Sequence, residues 1–126
     1  MTDVIFASSF DDRHPPQNIL NNNKEFWSTT GLYPQELILN LDTATNINSV
    51  NISSYGIKKI SIESCENDSA INFIKQAEIF DVPFRDGKIQ SFFLTFSGNK
   101  KMSKLIRIII EEGYDDFCSL YNITLN

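Results

Sequence analysis

Alternation of apolar and polar residues in short runs constrains this chain more than any other feature. Leu37, Leu39 and Leu41 alternate within Glu36–Leu41, and Val50 and Ile52 within Ser49–Tyr55. Ile60 and Ile62 do so within Ile57–Glu63, and Phe92, Leu94 and Phe96 within Lys88–Phe96. Ile106, Ile108 and Ile110 follow in Leu105–Glu111, and Tyr121, Ile123 and Leu125 close the chain. Successive side chains of a strand point to opposite faces, so each set lies on one side of a pleated sheet. Turn clusters separate the runs at Asp42–Asn48, Glu66–Ser69, Pro83–Gly87 and Ser97–Lys101. Short strands at this spacing predict an all-β chain folded as an antiparallel β-sandwich or jelly roll.

One stretch is ambiguous. In Ile71–Asp81, Phe73, Ala77 and Phe80 would fit a helical face, while Glu78–Val82 reads better as strand. At 126 residues the whole chain, 1–126, is expected to form one domain. Such a domain buries roughly two-thirds of the surface its unfolded chain exposes. Ten Phe, four Tyr and one Trp give its core an aromatic bias that suits packed sheets.

The net charge of −5, with only eleven Lys plus Arg, sets aside nucleic acid and anionic membrane surfaces as main partners. Lys100, Lys101 and Lys104 form one short basic cluster, which a solvated hairpin tip explains without a function. No stretch approaches the ~18 consecutive apolar residues of a membrane span, so no membrane insertion is expected. Met1–Phe6 lacks the basic and apolar regions of a secretory leader. Cys65 and Cys118 are isolated and are expected to be reduced, buried or semi-buried thiols. These features predict a setting in the cytosol or in a compartment continuous with it.

Residues 7 to 36 carry almost no period-two pattern, yet hold the only His, the only Trp and three of the four Pro. A long stretch without regular structure inside a compact domain is usually functional or disordered. Ile19, Leu20, Phe26, Trp27, Leu32 and Tyr33 offer too much apolar surface to be left loose, so an ordered loop over one end of the sandwich is expected. His14 has none of the company that a triad or zinc site needs, and reads as a structural or surface residue before Pro15 and Pro16. Asp11-Asp12, Glu111-Glu112 and Asp115-Asp116 are sequence neighbours, which on a strand face opposite ways rather than into one pocket. Five Gly leave little material for a phosphate loop. The residues point to binding, and no enzyme is expected.

The stretch also carries a resemblance. His14-Pro15-Pro16-Gln17-Asn18-Ile19-Leu20 and Phe26-Trp27-Ser28-Thr29-Thr30-Gly31-Leu32-Tyr33-Pro34-Gln35-Glu36-Leu37-Ile38 closely resemble the small discoidin-like subunit family of the intraflagellar transport B complex. That family is also catalogued among small heat-shock proteins. The run from Thr30 to Glu36 is specific to it, whereas the Asn-Ile-hydrophobic…Trp pattern alone would mark the wider galactose-binding-like jelly-roll superfamily. Tyr114-Asp115-Asp116-Phe117-Cys118-Ser119-Leu120 resembles the family's penultimate loop and last strand. The resemblance implies a discoidin-like β-sandwich of nine or so strands acting as an adaptor. It implies a heterodimer with a Rab-like small GTPase, docking on larger coiled-coil intraflagellar transport subunits. Cilium assembly or export of ciliary cargo would follow, in the cytoplasm and the cilium or flagellum.

The resemblance also implies a calcium ion in the loop before Trp27. Asn18 stands at the family's first ligand position, Asn21 where an Asp is expected, and Glu25 in place of a Thr. A Glu near the end of the family's last strand corresponds to about Asn126. Affinity for Ca²⁺ follows ligand charge and rigidity. With one charge gained and two lost, weak binding and at most a structural role are expected.

Two other binding roles compete. A carbohydrate-binding discoidin-type module would need loop aromatics to stack on a sugar and an Arg or Asp fork for its hydroxyls; only Arg13, Arg85 and Arg107 are available. A substrate-recognition domain of a ubiquitin ligase would normally carry a docking tail beyond the last strand. For the adaptor, apolar residues among Tyr55, Phe84, Phe93 and Tyr114 are candidates for the interface.

Overall fold

A computed structural model of the chain describes residues 2–21, 24–69, 71–97 and 102–126. Lys100 and Lys101 of the basic cluster, and Asn22 and Asn23 before Trp27, lie outside the described residues. Among those described, nine strands run in the order β1 (Asp3–Ala7), β2 (Trp27–Ser28), β3 (Gln35–Thr45), β4 (Ser49–Tyr55), β5 (Ile57–Cys65), β6 (Ile74–Ile79), β7 (Gln90–Thr95), β8 (Ser103–Gly113) and β9 (Ser119–Leu125). They form two antiparallel sheets, ordered β1-β3-β8-β5-β6 and β2-β9-β4-β7. This is the all-β sandwich that the alternation predicts.

The inward faces build the core. Ile106, Ile108 and Ile110 of the central strand β8 are fully buried, flanked by Leu37 and Leu39 of β3 and by Ile60 and Ile62 of β5. Val50, Ile52, Leu94 and Leu120 close the core from the smaller sheet. Each such side chain contributes about 1.5–3 kcal/mol on leaving water. Both cysteines are buried and free.

Four differences from the sequence expectations have physical causes. β1 escapes the pattern because Ile5 is an extra residue between the pairs Val4–Leu39 and Phe6–Ile38, and this bulge leaves Ile5 and Phe6 48% exposed. β3 runs four residues into the expected turn at Asp42–Asn48, as Thr45 pairs with Ser103. β6 begins earlier than Glu78, at Ile74, and ends at Ile79; Phe80 is exposed and Asp81 turns with φ +50°, while Val82 is buried beyond the strand. In β9, Tyr121 is the extra residue opposite Ser53 and Ser54. Leu120, Ile123 and Leu125 therefore pack on the core, and Tyr121 leaves the face on which the alternation put it.

Gly56 joins β4 of one sheet to β5 of the other in a single residue, at φ +87°. Only glycine takes that conformation without strain. The same end of the sandwich gathers the segments 29–34, 80–89 and 114–118.

Candidate functional site

Residues 8–21 and 24–28 run along the β1–β9 side and into the core, and 29–34 alone reach the end of the sandwich over which the whole stretch is expected to lie. A 3-10 helix, Pro16–Leu20, packs against β9, β1 and β2 with Ile19 fully buried. Pro15 is extended (φ −70°, ψ 159°) and Pro16 opens the helix, where a missing N–H does no harm. Trp27 is fully buried and its Nε1–H donates to the Ser9 carbonyl at 2.8 Å. His14 is structural: it stacks on Phe26 with ring centres 4.1 Å apart, and Phe26 in turn meets Tyr121 at 5.0 Å. Nearby, Arg13 bonds the Asp11 carboxylate twice and holds its pKa down to about 2.

The three residues matched to the calcium pattern are set out unevenly. Asn18 is buried, and its Nδ2 donates to the Phe26 carbonyl at 3.0 Å. Asn21 and Glu25 are exposed. Asn126 exchanges backbone hydrogen bonds with Ser49 and accepts one from Asn48. The donors are hard oxygens of the kind Ca²⁺ takes, but a single carboxylate accompanies them, and their fit to a divalent ion is weak. Among the described residues no group of three or more His, Cys, Asp or Glu could hold a metal ion.

At the loop end, two segments that the sequence keeps far apart are fastened together. The Thr29 N–H donates to the Cys118 carbonyl at 3.1 Å, and Cys118 N–H returns a bond of 3.1 Å to Thr29 Oγ1. Tyr33 Oη donates to the Asp115 carbonyl at 2.9 Å, with its ring laid over Gly113. Burial, the neighbouring Cys118 and the charges of Asp115 and Asp116 push the Tyr33 hydroxyl pKa up. Burial also pushes the Cys118 thiol up, so it stays protonated and inert.

Ser9 anchors the first of these segments. Its hydroxyl donates to Gln35 Oε1 at 2.5 Å and accepts the Thr30 N–H at 3.0 Å, while its carbonyl takes the Trp27 indole. The buried Gln35 amide donates on to the Leu32 carbonyl at 2.5 Å. The outcome of this bonding is an apolar pair on show: Leu32 is 89% exposed and Phe117 57%, lining one recess with Thr30, Gly31, Tyr33 and Asp116.

Three of the four expected interface aromatics converge at this end. Phe84 stacks on Tyr114 at 5.0 Å and meets the edge of Tyr55 at 5.2 Å. Both hydroxyls are engaged, Tyr55 with Asp86 and the Gly87 N–H, Tyr114 with the Val82 carbonyl. Phe93 is not part of the cluster; it is 66% exposed on the outer face of β7, opposite Asn51. Arg107, on the outer face of the larger sheet, pairs with Glu63 and lies over the Phe73 ring. Sequence reasoning missed Ser9 and the exposed Leu32–Phe117 pair. A lone serine carries no signature, and an apolar loop residue reads the same whether it is buried or displayed.

Comparison with known proteins gives three findings. The family model of the XRCC1 N terminal domain matches residues 1–81. Intraflagellar transport protein 25 homologs are similar over 98% of the chain: that of Mus musculus is 32% identical with 85% of its own length covered, and that of Homo sapiens 31% with 84%. Among solved structures, a family 32 carbohydrate-binding module of C. perfringens NanJ, in complex with galactose, superposes with a TM-score of 0.79. That match covers 99% of this chain and 98% of the module at 20% identity, a likeness of fold.

Proposed function

We propose that this chain, which belongs to the intraflagellar transport protein 25 family and to the XRCC1 N-terminal-domain family, works as a non-enzymatic adaptor subunit of the intraflagellar transport machinery. It pairs with a Rab-like small GTPase, and the pair docks on larger coiled-coil subunits during cilium assembly or export of ciliary cargo. The observation that carries this reading is the likeness to the mouse and human proteins along almost the whole chain. The side chains agree with a binding role. His14 is committed to stacking on Phe26, and the Cys118 thiol is buried and protonated. No helix is long and apolar enough to cross a membrane among the described residues.

Co-expression with a Rab-like small GTPase from the same source is the test. A 1:1 complex on size-exclusion chromatography with light scattering is expected. Separate elution of the two proteins at micromolar concentration would overturn the pairing.

A carbohydrate-binding role is the second reading, favoured by the shared fold with a galactose-bound module. The loop-end aromatics speak against it, since Tyr55, Phe84 and Tyr114 pack on one another and both hydroxyls are engaged. Binding on a glycan array would revive it. Calcium is proposed as a weak, structural ligand of the Asn18–Glu25 loop.

A further inference from the structure

Leu32 and Phe117 are the most exposed apolar side chains of the loop end, and the segments that carry them are fastened to one another and to Ser9 by hydrogen bonds. Leu32 lies between Thr30, whose N–H is held by Ser9, and Gln35, whose amide bonds the Leu32 carbonyl itself. Phe117 lies between Asp115, which accepts from Tyr33, and Cys118, which exchanges bonds with Thr29. A loop with no role in binding could turn such residues inward or carry polar ones. Here the hydrogen bonds fix a backbone that displays them. Side chains on a fixed backbone lose less freedom on association, so their burial is turned more fully into affinity.

Charge specifies what fits over them. Asp115 and Asp116 adjoin Phe117 and are exposed. Asp115 Oδ1 accepts the Asp116 N–H, and among the described residues neither carboxylate takes part in an ion pair. An apolar pair flanked by two unpaired carboxylates matches a recess that is apolar at its floor and lined at its edge by Lys or Arg. Such a rim would steer the encounter and fix the orientation of docking. Other exposed apolar residues differ: Phe93 faces Asn51 across its strand pair, Ile71 stands at the far end of the sandwich, Phe80 lies under the Lys59 ammonium, and Phe10 precedes Asp11, which is paired with Arg13.

We propose that the Leu32–Phe117 knob with its Asp115–Asp116 flank is the surface by which this chain seats on its protein partner, in an apolar recess edged by basic side chains. The proposal rests on the adaptor reading above and names the face that the adaptor uses.

The test uses the full chain and the Rab-like small GTPase from the same source, with affinity measured by calorimetry at two salt concentrations. Three variants are compared with the wild type: Leu32→Ser with Phe117→Ser, Asp115→Asn with Asp116→Asn, and Ile71→Ser as a control at the opposite end. The first pair is expected to weaken binding at least tenfold, and the second to weaken it and flatten its salt dependence. Ile71→Ser should bind as the wild type does. All three alter exposed side chains, and a thermal melt of each confirms that it folds.

Wild-type affinity in both double variants overturns the docking surface while the adaptor reading stands. Failure of the wild-type chain to bind the GTPase overturns the reading and the surface with it. A dimer of the chain alone that Leu32→Ser with Phe117→Ser dissolves would assign the knob to a second copy and overturn the proposal.

Discussion

Gly113→Ala should report directly on how Tyr33 is seated. A Cβ at residue 113 would lie 2.1 Å from Tyr33 Oη and 2.5 Å from Cζ, far inside contact distance, and 3.1 Å from the Gly56 carbonyl. The ring cannot yield cheaply, because its hydroxyl is bound to the Asp115 carbonyl. Forcing it aside costs about 1–3 kcal/mol of overpacking, and losing the hydrogen bond about 1 kcal/mol more. Against this, replacing Gly by Ala stiffens the unfolded chain and returns about 0.4–1 kcal/mol. The net expectation is a loss of about 2 kcal/mol, or about 5–10 °C in Tm for a domain of this size. The decisive comparison is made in a Tyr33→Ala background, where the obstacle is gone and the same substitution should be close to neutral. Urea denaturation of the four proteins closes the cycle, with a coupling energy of about 2 kcal/mol expected. Equal destabilisation in both backgrounds would show that the Gly56 carbonyl, not Tyr33, makes residue 113 a glycine. No loss in either would refute the placement of the ring.

Thr29→Val keeps shape but removes the acceptor of the buried Cys118 N–H, and should lower stability by about 1–3 kcal/mol in urea denaturation; an unchanged midpoint would count against the reciprocal bonds. Asp11 should titrate near 2 by carboxyl NMR instead of 3.8, and Arg13→Ala should bring it back up. Its folded-state pKa is depressed, so the contribution to stability is present above the unfolded value and is lost as pH falls towards 2. For calcium at the Asn18–Glu25 loop, with a dissociation constant of about 1 mM, raising free Ca²⁺ from chelated to about 1 mM adds only about 0.4 kcal/mol. A rise in Tm of no more than a couple of degrees is expected, and a shift of ten would contradict the charge count.

The strands that the sequence revealed are those with one face against the core. Ser49–Tyr55 is matched end to end because Val50 and Ile52 alternate with solvent-facing Asn and Ser. Alternation failed at two bulges: Ile5 hid β1, and Tyr121 drew the last strand out of phase. Phe73 misled for a different reason, for it packs on Arg107 outside the sheet and serves neither a helical face nor the core. At the loop end, the segments Thr30–Glu36 and Tyr114–Leu120 were recognisable as marks of the family, but nothing in their spacing said that they touch. Their meeting depends on bonds from Thr29 to Cys118 and from Tyr33 to Asp115, which only the folded sandwich brings into range. The hub at Ser9 was illegible because its partners Trp27, Thr30 and Gln35 lie 18, 21 and 26 residues further along the chain, and no local pattern links them to a lone serine.

The separation of 89 positions between Thr29 and Cys118 also has a temporal meaning. The Leu32 half of the knob is synthesised well before the Phe117 half. Contacts so distant along a chain form late, after shorter loops have closed. A ribosome-bound fragment that stops short of Phe117 therefore displays Leu32 without its counterpart, and a partner that reads both halves would have to wait until residues 115–118 are made and folded into place. Assembly through such a surface would pass over any chain that lacks the segment around Phe117.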